Sequence, residues 1–165
     1  MGLLIMMNVE LTANNPFWFD TNESFLILQG QFGGLTFPLK FDKTETFAYK
    51  GTSHDITIKG DVPAAIRAEF KNEAYKPRLT LSNTGEFIEV NTVLQKNEKL
   101  IITTEYGNKN VVLRKTNGRE ETAYHLITLD STFFSLPVGD NHLAFEAETG
   151  EPEVKVYWRN YYVGV

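Results

Sequence analysis

Residues 133–145 (FFSLPVGDNHLAF) and 154–162 (VKVYWRNYY) decide the fold. In both stretches, apolar and polar side chains alternate with a period of two, which is typical of β-strands with one buried face. Gly150-Glu151-Pro152 lies between them and has the glycine and the proline of a turn. Two strands joined by a turn close to the end of the chain predict an antiparallel β fold.

The same alternation recurs along the rest of the chain. About ten strand patterns follow one another at the spacing of about 8–12 residues that sandwiches show, with turn signals such as Asn83-Thr84-Gly85 between them. Only residues 120–127 have weak helical character, enough for one short helix at most. We therefore predict an all-β protein, an antiparallel β-sandwich that forms one domain over residues 1–165. Residues 30–52, which are rich in Gly, Thr and Lys, are a candidate extended arm.

Composition limits the partners. The chain has 165 residues and a net charge of −5, without the dense basic cluster that phosphate binding requires, so nucleic acid is not the expected main partner. It has no cysteine, which excludes disulfides and thiolate chemistry. The apolar start, residues 1–7, is too short to cross a membrane and lacks the basic flank of a signal peptide. We expect no signal peptide and no membrane partner.

Residue types that carry catalysis are present, but their spacing favours no reaction. His54, His125 and His142 lie far apart, whereas a zinc site needs three or four converging ligands. A glycosidase needs two carboxyl groups across a cleft, and the candidate pairs are Glu120-Glu121, Glu146-Glu148 and Glu151-Glu153. Glu146 and Glu148 could share a sheet face, whereas Glu151 and Glu153 lie at a turn, where charge is simply solvated. We predict no catalytic, metal or cofactor site, and therefore a protein that is not an enzyme.

The aromatic residues are the candidate binding groups. On the last long strand Val154, Val156 and Trp158 should face the core, while Lys155, Tyr157, Arg159 and Tyr161 should face outward. This outward stripe could stack on sugar rings, bury itself in a protein partner, or be a solvated sheet face. Trp18 lies in a second aromatic cluster, which joins the binding surface, packs on the sandwich, or packs against a neighbouring segment. The candidate binding surface is therefore Tyr157, Tyr161, Arg159 and Trp18.

Six motifs, in order along nearly the whole chain, resemble the C-terminal domain of siphophage distal tail proteins, the siphovirus-type tail component family. They are the Pro-aromatic entry (residues 15–19), an extended segment (34–39), a Gly-Asp-Val-Pro turn (59–64, with Ala64 where a Thr is more usual), a hairpin (78–86), a Leu, Gly, Asn and aromatic signature (134–145), and a closing aromatic strand (154–159).

The resemblance implies a galectin-like, jelly-roll-like sandwich in the tip of a phage or prophage tail. Family members carry an N-terminal belt domain that forms a hexameric ring, and we expect that domain to be absent here. The implied function is structural and non-enzymatic, linking the tail to baseplate or adhesion proteins in the virion. The implied place of synthesis is the cytoplasm of the bacterial host. The alternative is a carbohydrate-binding module that recognises host cell-wall polysaccharide. The implied partners are other tail and baseplate proteins, and host surface polysaccharide under the alternative.

Overall fold

The computed structural model describes residues 7–10, 16–29 and 52–164. Sixteen strands and one turn of 3-10 helix, Tyr124–Leu126, occur in these residues. The strands are β1 Trp18–Phe19, β2 Ser24–Gln29, β3 Thr52–Ile58, β4 Ala64–Lys71, β5 Ala74–Tyr75, β6 Arg78–Leu81, β7 Glu86–Glu89, β8 Val93–Leu94, β9 Lys99–Thr103, β10 Asn110–Arg114, β11 Glu120–Thr122, β12 Ser135–Leu136, β13 Gly139–Glu146, β14 Thr149–Gly150, β15 Glu153–Trp158 and β16 Tyr161–Tyr162.

Two antiparallel sheets form the body of the domain. The larger sheet has seven strands in the order β11-β10-β9-β4-β15-β2, with β12 alongside β4. The smaller sheet has four strands in the order β3-β13-β6-β7. Two short additions complete the topology: a three-stranded sheet, β14-β5-β8, and a ribbon in which β1 near the start pairs with β16 at the end.

The core lies between the two sheets. Alternate residues of β4 (Ala64, Ile66, Ala68, Phe70) and of β15 (Val154, Val156) are buried, and they meet buried residues of β6 and β13 from the other layer. The rings of Phe70 and Phe145, one from each sheet, lie 6.0 Å apart with their planes at 58°. Face-to-face packing of this kind defines a sandwich, so the predicted all-β sandwich is confirmed.

The details differ from the prediction in two places. The strand count exceeds ten because several connections contain two-residue strands such as β5, β8 and β14. The weak helical pattern over 120–127 resolves into β11 followed by the single 3-10 turn. The candidate arm over 30–52 lies outside the described residues except for Thr52, which is the first residue of β3. Within the described part of the chain, no helix has the length and apolarity to span a membrane.

The signature over 134–145 is explained by a turn lock between β12 and β13. Asn141 is buried, and its amide nitrogen donates to the carbonyls of Pro137 (2.8 Å) and Gly139 (2.9 Å). Gly139 has a φ of 93°, in the left-handed region where a side chain would be strained. Leu136 and Phe145 are fully buried on either side. The glycine therefore lets the chain turn, the asparagine fixes the turn, and the apolar residues anchor it.

Candidate functional site

The outer face of the seven-stranded sheet carries a row of aromatic and charged residues. Strand pairing places Tyr157 of β15 between Phe25 of β2 and Arg67 of β4, with Thr103 of β9 beyond Arg67. A neighbouring row holds Lys155 between Ile27 and Glu69. Residues directly opposite each other on one face of a sheet are close enough for their side chains to interact.

Cations lie over the aromatic rings of this face. The guanidinium carbon of Arg67 is 3.8 Å from the centre of the Tyr157 ring. The ammonium of Lys155 is 4.0 Å from the centre of the Phe25 ring and 4.9 Å from that of Tyr157. Cation–π contacts within about 6 Å contribute about 0.5–1 kcal/mol at exposed sites. These contacts hold the Tyr157 ring in one orientation, and Arg67 occupies part of the face that a ligand could use.

A network of ion pairs fixes Arg67 in turn. Glu23 accepts from Arg67 at 2.6 Å, and Glu69 accepts from both Arg67 and Lys99, the latter at 3.0 Å. Glu69 is only 7% exposed although it is on the outer face, because the long cationic side chains cover it. Burial opposes its ionisation, but the hydrogen bond from Lys99 and the charges of Lys99, Arg67 and Lys71 outweigh burial and lower the pKa of Glu69.

A cleft of about 250 Å³ opens at the end of this row. The residues that line it include Glu23, Arg67, Asn108, Tyr157, Arg159 and Tyr161. Glu105 also lines it, so two guanidinium groups and two carboxylates balance in charge. Burial first, and then the charge of Glu105, raises the pKa of the Tyr161 hydroxyl, which therefore stays a neutral hydrogen-bond donor.

Beside the cleft, β1, β16 and residues 59–62 form what we call the terminal clasp. Asn160 organises it: its amide nitrogen donates to Asp20 at 2.8 Å, and its amide oxygen accepts from the backbone N–H of Lys59 at 3.0 Å. The backbone N–H of Asp61 donates to the carbonyl of Tyr161 at 2.8 Å, and the Asp61 carboxylate accepts from the N–H of Val163 at 3.1 Å.

Close backbone approach in the clasp requires a glycine. A Cβ added to Gly60 would lie 2.4 Å from the carbonyl oxygen of Tyr161 and 2.8 Å from its backbone nitrogen. Such distances are far inside van der Waals contact, so Gly60 is needed for β16 to pack where it does. The Pro-aromatic entry, the Gly-Asp-Val-Pro turn and the aromatic end of the chain, distant in sequence, thus meet in one structural unit.

The structure brings three of the four predicted binding residues together. Tyr157, Arg159 and Tyr161 all line the cleft. Trp18 does not; it lies on β1 opposite Tyr162, where it is 72% exposed. Tyr161 also differs from the expected outward stripe, because β15 ends at Trp158 and Tyr161 begins β16, where its ring packs against the core and edge-on to Phe19 at 6.1 Å.

Sequence reasoning missed several residues of the cleft. Glu23, Arg67 and Asn108 come from three separate segments, and nothing in their local sequence marks them. The sequence does predict that Arg67 faces outward, because it occupies a polar position of an alternating strand. Which ring it would contact depended on the pairing of β4 with β15, which the pattern does not specify.

The groups considered for catalysis lie elsewhere. Glu148 pairs with Lys76 at 3.0 Å, and the Glu146 side chain is exposed on β13. His142 contacts Asp55 at 2.5 Å on the exposed side of the smaller sheet. In the part of the chain that the structure describes, no three His, Asp or Glu side chains converge as metal ligands would.

Comparison with known proteins identifies the family. The family model described as the siphovirus-type tail component, C-terminal domain, matches residues 59–162. The chain belongs to this family. The matched region contains the Gly-Asp-Val-Pro turn, the Asn141 turn lock and the closing strands, so it covers the cores of both sheets.

A solved structure is also similar to the chain. It is a chain of the phage P2 baseplate in its activated conformation with Ca, with a TM-score of 0.47 and 13% identity. The similarity covers 87% of this chain and 54% of that one, so this chain spans about half the length of the baseplate chain. No curated protein sequence matches the chain.

Proposed function

We propose that this tail component is a non-enzymatic structural module of the tail tip, where it links the tail to baseplate or adhesion proteins. Membership of the tail component family carries the proposal. The roles found for the family-like motifs support it, because Gly60, Asp61, Asn141 and Asn160 all hold backbone segments together. The contacts of these residues stabilise the fold, and they serve no reaction in this proposal.

The exposed aromatic residues of the terminal clasp supply the proposed contact with other tail proteins. Trp18 and Phe19 of β1 are exposed, and so is Val163, the apolar residue that directly follows β16. Large aromatic side chains on a firmly held backbone are typical anchors of protein interfaces. The clasp is held by backbone hydrogen bonds from three segments, so its aromatic surface is formed before a partner arrives.

The candidate arm over residues 30–52 offers a second contact in this proposal. The described residues on either side of 30–51 meet, since the hydroxyl of Thr52 donates to the carbonyl of Gln29. The chain therefore leaves β2 and returns to β3 at one corner of the sandwich. An excursion that starts and ends at one point can vary without disturbing the core, as insertions in surface loops commonly do.

The structural role is tested by removing the gene from the phage genome that encodes the chain and supplying variants in trans. We expect particles without the protein to have incomplete or tail-less morphology in electron micrographs. Complementation by the wild type should restore tails, and a Trp18→Ala, Phe19→Ala double variant that still folds should restore fewer. Normal, infectious tails in the absence of the protein would refute the structural role.

A second candidate function is recognition of host cell-wall polysaccharide at the cleft. The observation that favours it is the meeting of Tyr157, Arg159 and Tyr161 in one opening together with Asn108. Two rings beside amide and guanidinium donors suit a sugar, which has apolar faces and hydroxyl edges. Since Arg67 already covers part of Tyr157, the polar groups rather than ring stacking would provide most of the binding.

Calorimetric titration with purified host cell-wall polysaccharide tests this candidate. We expect Arg159→Ala to weaken binding and Trp18→Ala to leave it unchanged, because Trp18 lies outside the cleft. The absence of any binding by the wild type would remove carbohydrate recognition from consideration. Loss of binding in Trp18→Ala alone would place recognition at the clasp instead.

A further inference from the structure

A short segment near the start of the described chain touches the cleft. Residues 19–23, which we call the entry strap, run from β1 through a bend to the start of β2. At one end, Glu23 lines the cleft and accepts a hydrogen bond from Arg67 at 2.6 Å. At the other end, the guanidinium carbon of Arg159 lies 5.3 Å from the centre of the Phe19 ring. The entry strap therefore supplies one residue of the cleft and holds two others.

Asp20 fastens the middle of the entry strap to the connection between β15 and β16. Its backbone N–H donates to the carbonyl of Asn160 at 3.2 Å, and its carboxylate accepts from the amide nitrogen of the same residue at 2.8 Å. The amide oxygen of Asn160 accepts in turn from the backbone N–H of Lys59 at 3.0 Å. Because Asn160 joins the entry strap to residues 59–62, release of the strap removes a support from the whole terminal clasp.

Little apolar burial holds the entry strap in place. Trp18 and Phe19 are 72% and 48% exposed, and β1 pairs with β16 over only two residues. From Ser24 onward, in contrast, β2 pairs with β15 over six residues and buries Leu28 fully. Segments with few buried apolar contacts open locally while the core stays folded. The start of β2 is therefore the boundary between a segment that can open and one that cannot.

We propose that the entry strap is a gate of the cleft, which docks and releases as a unit about the start of β2. In the docked state, Glu23 closes one side of the cleft and Phe19 holds the guanidinium of Arg159. In the released state both contacts are lost. The cleft then widens beside Trp158, a lining residue that lies opposite Ser24 at the root of the strap.

Arg67 stays in place when the entry strap is released. Glu69 also accepts from Arg67, and Lys99 and the pairing of β4 with β15 keep this carboxylate where it is. Release therefore opens the cleft on its outer side without breaking the larger sheet.

The consequence of the gate rests on the proposed function. A tail protein that contacts Trp18 and Phe19 on the docked clasp would hold the entry strap down and keep the cleft narrow. Coupling between two sites is reciprocal, so a ligand that needs the wider cleft would weaken that contact by the same factor. The gate would thus connect the two surfaces to which contacts are assigned above.

A disulfide across the clasp provides a reversible lock that stands in for such a partner. Trp18 and Tyr162 lie directly opposite each other in β1 and β16, at a spacing that a disulfide can bridge, and the chain has no cysteine of its own. The double variant Trp18→Cys, Tyr162→Cys also leaves Trp158 as the one remaining tryptophan. Its fluorescence therefore reports on the cleft in the oxidised, locked form and in the reduced, unlocked form of the same protein.

We expect acrylamide to quench Trp158 about twofold more strongly in the reduced form than in the oxidised form, because release of the strap admits the quencher. The matched control combines Trp18→Phe with Val112→Cys and Thr122→Cys, which lie opposite each other in β10 and β11 outside the cleft lining. Oxidation of the control should leave quenching unchanged. Equal quenching in the two forms of the clasp variant overturns the inference, since the strap would then stay docked without the lock.

Hydrogen exchange tests the same motion in the unaltered chain. The amides of Asp20, Lys59 and Asp61 all donate within the docked clasp, so we expect them to exchange at one common rate, well before the amides of central β15. Asp20→Ala should speed exchange at Lys59 and Asp61 about fivefold, the effect of one lost hydrogen bond. Asp130→Ala, at an exposed position outside the strap, should leave it unchanged.

Clasp amides that exchange only together with those of β15 would overturn the gate, since the strap would then never release while the core is folded. Neither measurement uses a ligand or a partner protein. A failure of the gate is therefore distinguishable from a failure of the proposed function, which the complementation and titration experiments test.

Discussion

Gly60→Ala should break the terminal clasp at its closest point. The added methyl would lie 2.4 Å from the carbonyl oxygen of Tyr161, about 1 Å inside an acceptable contact, and both groups belong to the backbone. No rotamer change relieves such a clash, so β16 must move away from residues 59–62. The move breaks the hydrogen bond from Asp61 N–H to Tyr161 and the one from Val163 N–H to Asp61.

The magnitude follows from these contacts. Two lost hydrogen bonds, at about 1 kcal/mol each, give a loss of about 2 kcal/mol. Displacement of the half-buried Tyr161 ring from the core adds about 1 kcal/mol or more. We therefore expect Gly60→Ala to lower the free energy of unfolding by about 3 kcal/mol, a large fraction of the stability of an ordinary domain, about 5–15 kcal/mol.

Gly85→Ala is the matched control for this substitution. Gly85 has a φ of 77°, and a Cβ added there would meet nothing within 4 Å. Its replacement should cost only the strain of a left-handed alanine, about 1–2 kcal/mol. Urea denaturation followed by circular dichroism gives both values from the midpoint and slope. If Gly60→Ala is no more destabilising than Gly85→Ala, the close approach of Gly60 to β16 is not a feature of the folded protein.

Three further predictions follow from the core and the outer face. Glu69→Gln should lower stability by about 1–2 kcal/mol at neutral pH, because Arg67 and Lys99 lose their shared carboxylate. Folding lowers the pKa of Glu69, so the stabilisation by its ionised carboxylate is complete above the unfolded pKa of about 4.3. That stabilisation disappears as the pH falls through the folded pKa. Wild type and variant should therefore become equally stable in acid, and a difference that persists there would contradict this role of Glu69. Phe145→Ala should lower the free energy of unfolding by about 3–5 kcal/mol, since the ring is fully buried against Phe70. Phe25→Ala, on the exposed face, should lower it by less than about 1 kcal/mol in the same urea series. Asn141→Ala should lower the free energy of unfolding by about 2 kcal/mol, because both turn hydrogen bonds are lost. Hydrogen exchange should show that the backbone of residues 135–140 opens faster in this variant. Unchanged exchange there would count against the turn lock.

The layered architecture could be predicted because alternation is a local signal. Val154 and Val156 are buried and Tyr157 faces outward, as the period of two requires. The same rule failed at Tyr161, because β15 ends at Trp158 and Arg159-Asn160 belong to no strand before β16 begins. A period can be extended along a strand only as far as the strand continues, and the end of β15 has no glycine or proline to mark it.

The candidate site depended on contacts that no local pattern encodes. Asn160 and Asp20 are 140 positions apart, and their hydrogen bond exists only because β1 and β16 pair. The contact of Arg67 with Tyr157 likewise requires the register of β4 against β15. Sequence reasoning found the outward aromatic residues, since their position in a strand is local. It could not find the polar residues that complete the cleft, since these come from loops and neighbouring strands.

Immunogold labelling of purified virions shows where in the particle the protein lies. An antibody against the folded chain should place gold particles at the distal end of intact tails, and the label should disappear from particles made without the gene. Gold confined to the capsid or tail shaft, or a protein absent from purified virions altogether, would contradict a structural role at the tail tip.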